Sequence, residues 1–303
     1  MAVLINGVLP IFAVVVVGYV FGFRKIFSPG DAASINKFVF MVAIPALSVD
    51  LIVSAPFASF DWRVLFGFFL AEVITYFIGL FIALKLLKCS LAEAILIGLA
   101  SAFGNHLLFV LPITQNLFGE VAALPIVAII AVDSILLCGG TLMAMEVVGE
   151  GQFSFRQFCI KILKNPPIMS LLLGLVLAVC GVNLPKSVLL FLDFSGVAGA
   201  PCALFSLGIV LSQVSLAGRR PVITMICLSK LAILPLLAWV LLMSFLDLDF
   251  EAAKIPLMAA VAPCGAMAFV FALNYQVRTD AIAPAIFFST LISVLTLSAL
   301  AAA

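Results

Sequence analysis

The sequence predicts an all-α polytopic membrane protein of ten transmembrane helices. Three observations predict it: 66% of the 303 residues are hydrophobic, only 10% are charged, and apolar runs of about eighteen or more residues recur from one end to the other. At about 1.5 Å of rise per residue, each run crosses about 30 Å of hydrocarbon, so the lipid bilayer is the solvent. A formal net charge of +1 leaves no polybasic face, and no block of five like charges occurs, which excludes nucleic acid as a partner. Seven cysteines (89, 138, 159, 180, 202, 227 and 264) stand singly in apolar stretches without a CxxC pair, and they read as small packing residues. No metal site and no cofactor is expected. The N-terminal stretch, MAVLINGVLPIFAVVVVGYVFGF, lacks the basic start and small-residue cleavage site of a removable signal peptide, and is expected to remain as the first span.

Charge and turn clusters cut the chain into spans 2–23, 33–54, 62–87, 91–118, 121–146, 166–182, 187–214, 221–245, 253–275 and 280–300. Loops after odd-numbered spans, with their flanks, hold eleven of the fifteen basic residues: Arg24, Lys25, Lys37, Lys85, Lys88, Arg156, Lys161, Lys164, Arg219, Arg220 and Arg278. Loops after even-numbered spans hold three, Arg63, Lys186 and Lys254, and Lys230 lies inside a span. Short basic loops stay in the cytoplasm, so both termini are expected on the non-cytoplasmic side and loop 148–165 inside. A bacterial inner membrane is the expected location.

The halves repeat weakly. Pro10 and Pro166, Pro45 and Pro201, and Arg63 and Arg219 are each 156 residues apart (166 − 10, 201 − 45 and 219 − 63). Residues 1–147 then form a first five-helix repeat and 166–303 a second. An odd number of spans per repeat forces the two copies into opposite orientations.

Backbone leaves a helix at membrane depth only where protein or a water-filled cavity satisfies it, so breaker residues there point to a site. Span 4 carries Gly104-Asn105-His106 near its middle, and span 9 carries Pro263-Cys264-Gly265 at the corresponding place. Proline removes a donor and glycine permits close approach. Each break frees a half-helix N-terminus, whose N–H groups and positive dipole end favour an anion. These six residues are the candidate substrate site.

Ionisable residues inside spans are costly and therefore functional candidates. Glu72, Asp133 and Lys230 are expected to serve proton coupling or gating. Asp133 has no basic neighbour in sequence, whereas Glu72 and Lys230 occupy equivalent spans and are also open to a plain ion pair. His106 is open either to relay of a proton or to packing. Asp193 in span 7 is a further candidate, open equally to a near-interface position, and Asp50 reads as a near-interface acid.

Phe38 to Leu47 (FVFMVAIPAL), Lys230 to Leu237 (KLAILPLL) and Phe288 to Leu297 (FSTLISVLTL) resemble the auxin efflux carrier family, over nearly the whole chain. The short central loop is similar to the bacterial branch, with its malonate and malate carriers. The resemblance implies two inverted five-helix repeats with broken, crossing helices 4 and 9, an architecture like that of sodium-proton antiporters and bile-acid symporters. It implies a homodimer and an elevator mechanism, with a scaffold of spans 1, 2, 6 and 7 and a transport domain of spans 3–5 and 8–10. The family's span-4 asparagine falls on Asn105 and its crossover proline on Pro263, while Cys264-Gly265-Ala266-Met267 and His106 depart from its usual pattern. The expected function is secondary active transport or uniport of a small organic anion, a carboxylate such as malonate, malate or an auxin-like acid.

Three alternatives remain distinct. A sodium-coupled bile-acid-type symporter needs oxygen ligands at the crossover, and Ile255 to Leu273 contains no Asp, Glu, Asn, Gln, Ser or Thr. An anion channel or membrane sensor would lack saturable counterflow. An intramembrane enzyme would need a nucleophile and base or a metal cluster, for which a single histidine without HExxH is insufficient.

Overall fold

Polar caps and prolines set where the helices of this chain begin and bend. The computed structural model describes residues 8–54, 61–119, 123–150, 163, 165–213 and 218–303. In the first half it contains α1 (Leu9–Phe23), α2 (Pro29–Val53), α3 (Trp62–Lys85), α4 (Leu91–Ala102), α5 (His106–Phe118) and α6 (Leu124–Gly149). The second half contains α7 (Pro166–Val179), α8 (Lys186–Ser212), α9 (Arg220–Phe245), α10 (Phe250–Ala260), α11 (Met267–Asn274) and α12 (Ile282–Ala302). Six of these, α2, α3, α6, α8, α9 and α12, are long and apolar enough to cross a membrane. No strand occurs among the described residues.

Ser28, Asp61, Ser90, Asn165 and Asp249 cap α2, α3, α4, α7 and α10 by accepting a hydrogen bond from a first-turn N–H. Ser28 with Asp31 and Ser90 with Glu93 form reciprocal capping boxes. The first box starts α2 at Pro29, four residues before the sequence-based boundary. Of loop 148–165, positions 151–162 and 164 lie outside the described residues, and Cys159 is among them.

Pro45, Pro112 and Pro235 each follow a π turn, at Val39–Ala43, His106–Val110 and Ser229–Ile233. A proline offers no N–H and its ring crowds the carbonyl four residues back, so the preceding turn widens. A fourth π turn, Asp133–Cys138, precedes Gly139 and Gly140. His106, Asp133 and Lys230 all lie in these turns, which locally interrupt the regular hydrogen-bond ladder.

The helices associate in two groups. In one, α1 lies along the second half of α8, and α2 packs on α7 and on the first half of α8. A Cβ on Gly18 would collide with the backbone of Phe205 and one on Gly208 with the backbone of Val15 and Tyr19, so these glycines let α1 and α8 touch main chain to main chain. In the other group α3 packs on α4, α6 and α9, and α10 lies against α9 and α12. The two arginines related by the 156-residue offset differ in use. Arg63 pairs with exposed Asp61 at 2.6 Å, whereas Arg219 reaches Glu93 at 2.7 Å and Asp280 at 3.4 Å, tying the starts of α9, α4 and α12 together.

Candidate functional site at the paired helix breaks

After Ala102 the chain becomes extended at Phe103 and resumes as α5 at His106; after Ala260 it leaves the helix and resumes as α11 at Met267. The two interruptions meet in an antiparallel bridge between Gly104 and Cys264. Asn105 N–H donates to the Pro263 carbonyl at 3.0 Å, and Gly265 N–H donates to the Phe103 carbonyl at 2.9 Å. Cys264 N–H donates to Ser289 Oγ at 3.0 Å. The donors and acceptors released by each break are thus largely taken up by the other break or by α12. Close approach explains both glycines: a Cβ on Gly265 would run into the Phe103 ring, and one on Gly104 into the ring of His106.

The helix starts are treated differently. Neither Asn105 nor Ala266 caps its helix through a side chain. Among the described residues the first N–H groups of α5 and α11 have no backbone acceptor. Beside them lies a cavity of about 140 Å³. Gly104, Asn105, His106, Ala266 and Met267 line it from the breaks; Phe40 and Ser48 from α2, Asp133 and Ser134 from α6, and Asn165 and Ile168 at the start of α7 close it. The cavity therefore sits between the two helix groups. Asn105 is half-buried, and its amide has no partner among the described residues.

Of the sequence-predicted substrate residues, Gly104, Asn105 and His106 line the cavity, whereas Pro263, Cys264 and Gly265 form the supporting bridge behind it. Sequence reasoning passed over Ser48, Ser134, Asn165, Ala266 and Met267. Asn165-Pro166 is a legible cap signature, but nothing in it signals that the cap also faces a cavity.

Behind the breaks lie Glu72, His106, Asp133 and Lys230, all fully or nearly fully buried. Asp133 does have a basic neighbour, contrary to the sequence-based reading: His106 Nδ1 lies 2.9 Å from its Oδ2. The contact was invisible in sequence because it joins the first residues of two π turns 27 positions apart. Lys230 and Glu72 do not form an ion pair. The Lys230 ammonium donates to the carbonyls of Ala259 and Ala260, at 3.4 and 3.0 Å, and so places a cation at the C-terminal dipole end of α10. Both Glu72 carboxyl oxygens and Asp133 Oδ1 are buried without a donor. Glu72, His106 and Asp133 each bring one ligating atom within 4.8 Å of the others. Both His106 nitrogens, however, are already engaged, which favours a proton network over an ion cage. Asp193 is exposed on α8, away from this cluster.

A family model described as "Membrane transport protein" matches residues 3–301, and the chain belongs to that family, the family of the auxin efflux carriers. It is a membrane transporter and not an enzyme. Among curated proteins it is 27% identical over 316 aligned positions to a protein of Rhizobium meliloti (strain 1021) named "Putative malonate transporter", covering 99% of this chain and 95% of that relative.

Proposed function

We propose that this chain carries a small organic anion of the malonate class across the membrane by an elevator-type alternation. In this reading α1, α2, α7 and α8 are the fixed scaffold. The remaining helices form the transport domain, and the ten spans are arranged as inverted repeats 1–147 and 166–303. The observation that carries it is the meeting of two uncapped helix starts beside one cavity that lies between the two helix groups. Positive potential from helix ends, with no lysine or arginine in the wall among the described residues, suits an anion that must bind and then leave. The name of the Rhizobium relative supports malonate as the first ligand to try.

The test is uptake of labelled malonate into proteoliposomes. Wild type should show saturable uptake and counterflow, and Asn105→Ala should lose most of both at sub-saturating malonate. Flux that neither saturates nor exchanges would favour a channel, and unchanged uptake by Asn105→Ala would move the site elsewhere.

A further inference from the structure

We infer that His106 and Asp133 together hold the proton that travels with the anion, an inference that rests on the carrier reading above. Both ring nitrogens of His106 face an acceptor: Nδ1 lies 2.9 Å from Asp133 Oδ2, and Nε2 lies 3.3 Å from the carbonyl oxygen of Ala259. A carbonyl oxygen only accepts, so Nε2 carries a hydrogen. A neutral imidazole has a single N–H, and that one is now used. The Nδ1 contact with Asp133 needs a second proton, either on the ring as imidazolium or on the Asp133 carboxyl.

In both placements the pair holds two protons and no net charge. Releasing one to water converts imidazolium and carboxylate into imidazole and carboxylate, and leaves the pair at −1. The groups facing it are Glu72 from α3 and Lys230 from α9, which shares the Ala259 carbonyl with His106. Cys138 follows Asp133 on α6, and Cys264 lies near Lys230. The rings of Phe68 and Phe103 flank His106. Glu72 and Lys230 are the other titratable groups of the cluster, and loss of the proton on the His106–Asp133 pair lowers the charge of the cluster by one.

That charge matters because Asp133 lines the cavity and, among the described residues, no lysine or arginine does. A carboxylate ligand at the start of α5 would meet a like charge if the pair were deprotonated, and a neutral group if it were protonated. Anion and proton therefore enter together and leave together, as reciprocal linkage requires.

His106 is the chain's single histidine, so ring 15N spectra of histidine-labelled protein report it without ambiguity. At neutral and mildly acidic pH the wild type should show Nε2 protonated and Nδ1 sharing a proton with Asp133. Asp133→Asn should fix the neutral Nε2–H form. A wild-type ring protonated only at Nδ1 would overturn the inference. Calorimetric titration of malonate, repeated in buffers of unlike ionisation enthalpy, gives the second reading. Proton uptake should approach one per anion as pH rises past the loss of the pair's proton, with affinity falling by up to about tenfold per pH unit, and Asp133→Asn should flatten both. Uptake that persists in the mutant, or is absent when malonate binds, contradicts the coupling. Failure of malonate to bind counts against the carrier reading, while the spectrum still decides the proton site.

Discussion

The break between α4 and α5 and the break between α10 and α11 exchange the same pair of backbone hydrogen bonds, yet their helix starts differ in chemistry. The first places Asn105 and His106 there and leads through His106 to Asp133; the second places Ala266 and Met267 there and offers only backbone. A second asymmetry lies on the incoming side, where α10 ends on carbonyls that take the Lys230 ammonium. The two breaks thus share a geometry, and on the function proposed above they divide the work: the first carries ligand and proton chemistry, and the second supplies the supporting bridge.

The largest expected effect lies on that support. Lys230→Met removes the cation from the end of α10, together with its hydrogen bonds to the Ala259 and Ala260 carbonyls, and takes away a positive charge that faces the buried Glu72 carboxyl. Losing a hydrogen bond made by a charged group costs about 1.5–3 kcal/mol, and two are lost here, so the thermal unfolding midpoint in detergent should fall sharply. Adding Glu72→Gln should recover part of the loss. A double mutant no more stable than the single one would show that Lys230 acts independently of Glu72.

The two breaks were legible in the sequence, while the division between them was not. Breaker residues at matching depths marked both interruptions, and Pro112 and Pro235 already stood six and five residues after His106 and Lys230 (112 − 106 and 235 − 230). What remained hidden were contacts between segments far apart in the chain. His106 meets Asp133, and Lys230 turns from Glu72 toward carbonyls, because π turns rotate those side chains by an amount no spacing rule reports. Which residues line the cavity was also unreadable for the second break, where Pro263, Cys264 and Gly265 look like ligand groups and serve as the bridge behind Ala266 and Met267.

A smaller effect sharpens the same contrast. In Gly265→Ala the new methyl would strike the Phe103 ring and crowd the Gly104 carbonyl, and overpacking of this kind costs about 1–3 kcal/mol. In Gly104→Ala the methyl meets the His106 ring instead. Thermal melts should therefore show the greater loss for Gly265→Ala, whereas the His106 ring spectrum should shift more for Gly104→Ala. The reverse order would mean that the first break is the structural one.

The central claim, that the first break holds the ligand, is tested most directly by calorimetric titration of malonate into wild type, Asn105→Ala and Pro263→Ala. Losing one hydrogen bond to a charged group costs about 1.5–3 kcal/mol, so Asn105→Ala should bind roughly 10- to 150-fold more weakly. Pro263 contributes a carbonyl that alanine keeps, so Pro263→Ala should lose less. Near-equal affinities in all three proteins, or a greater loss at Pro263, would contradict the account.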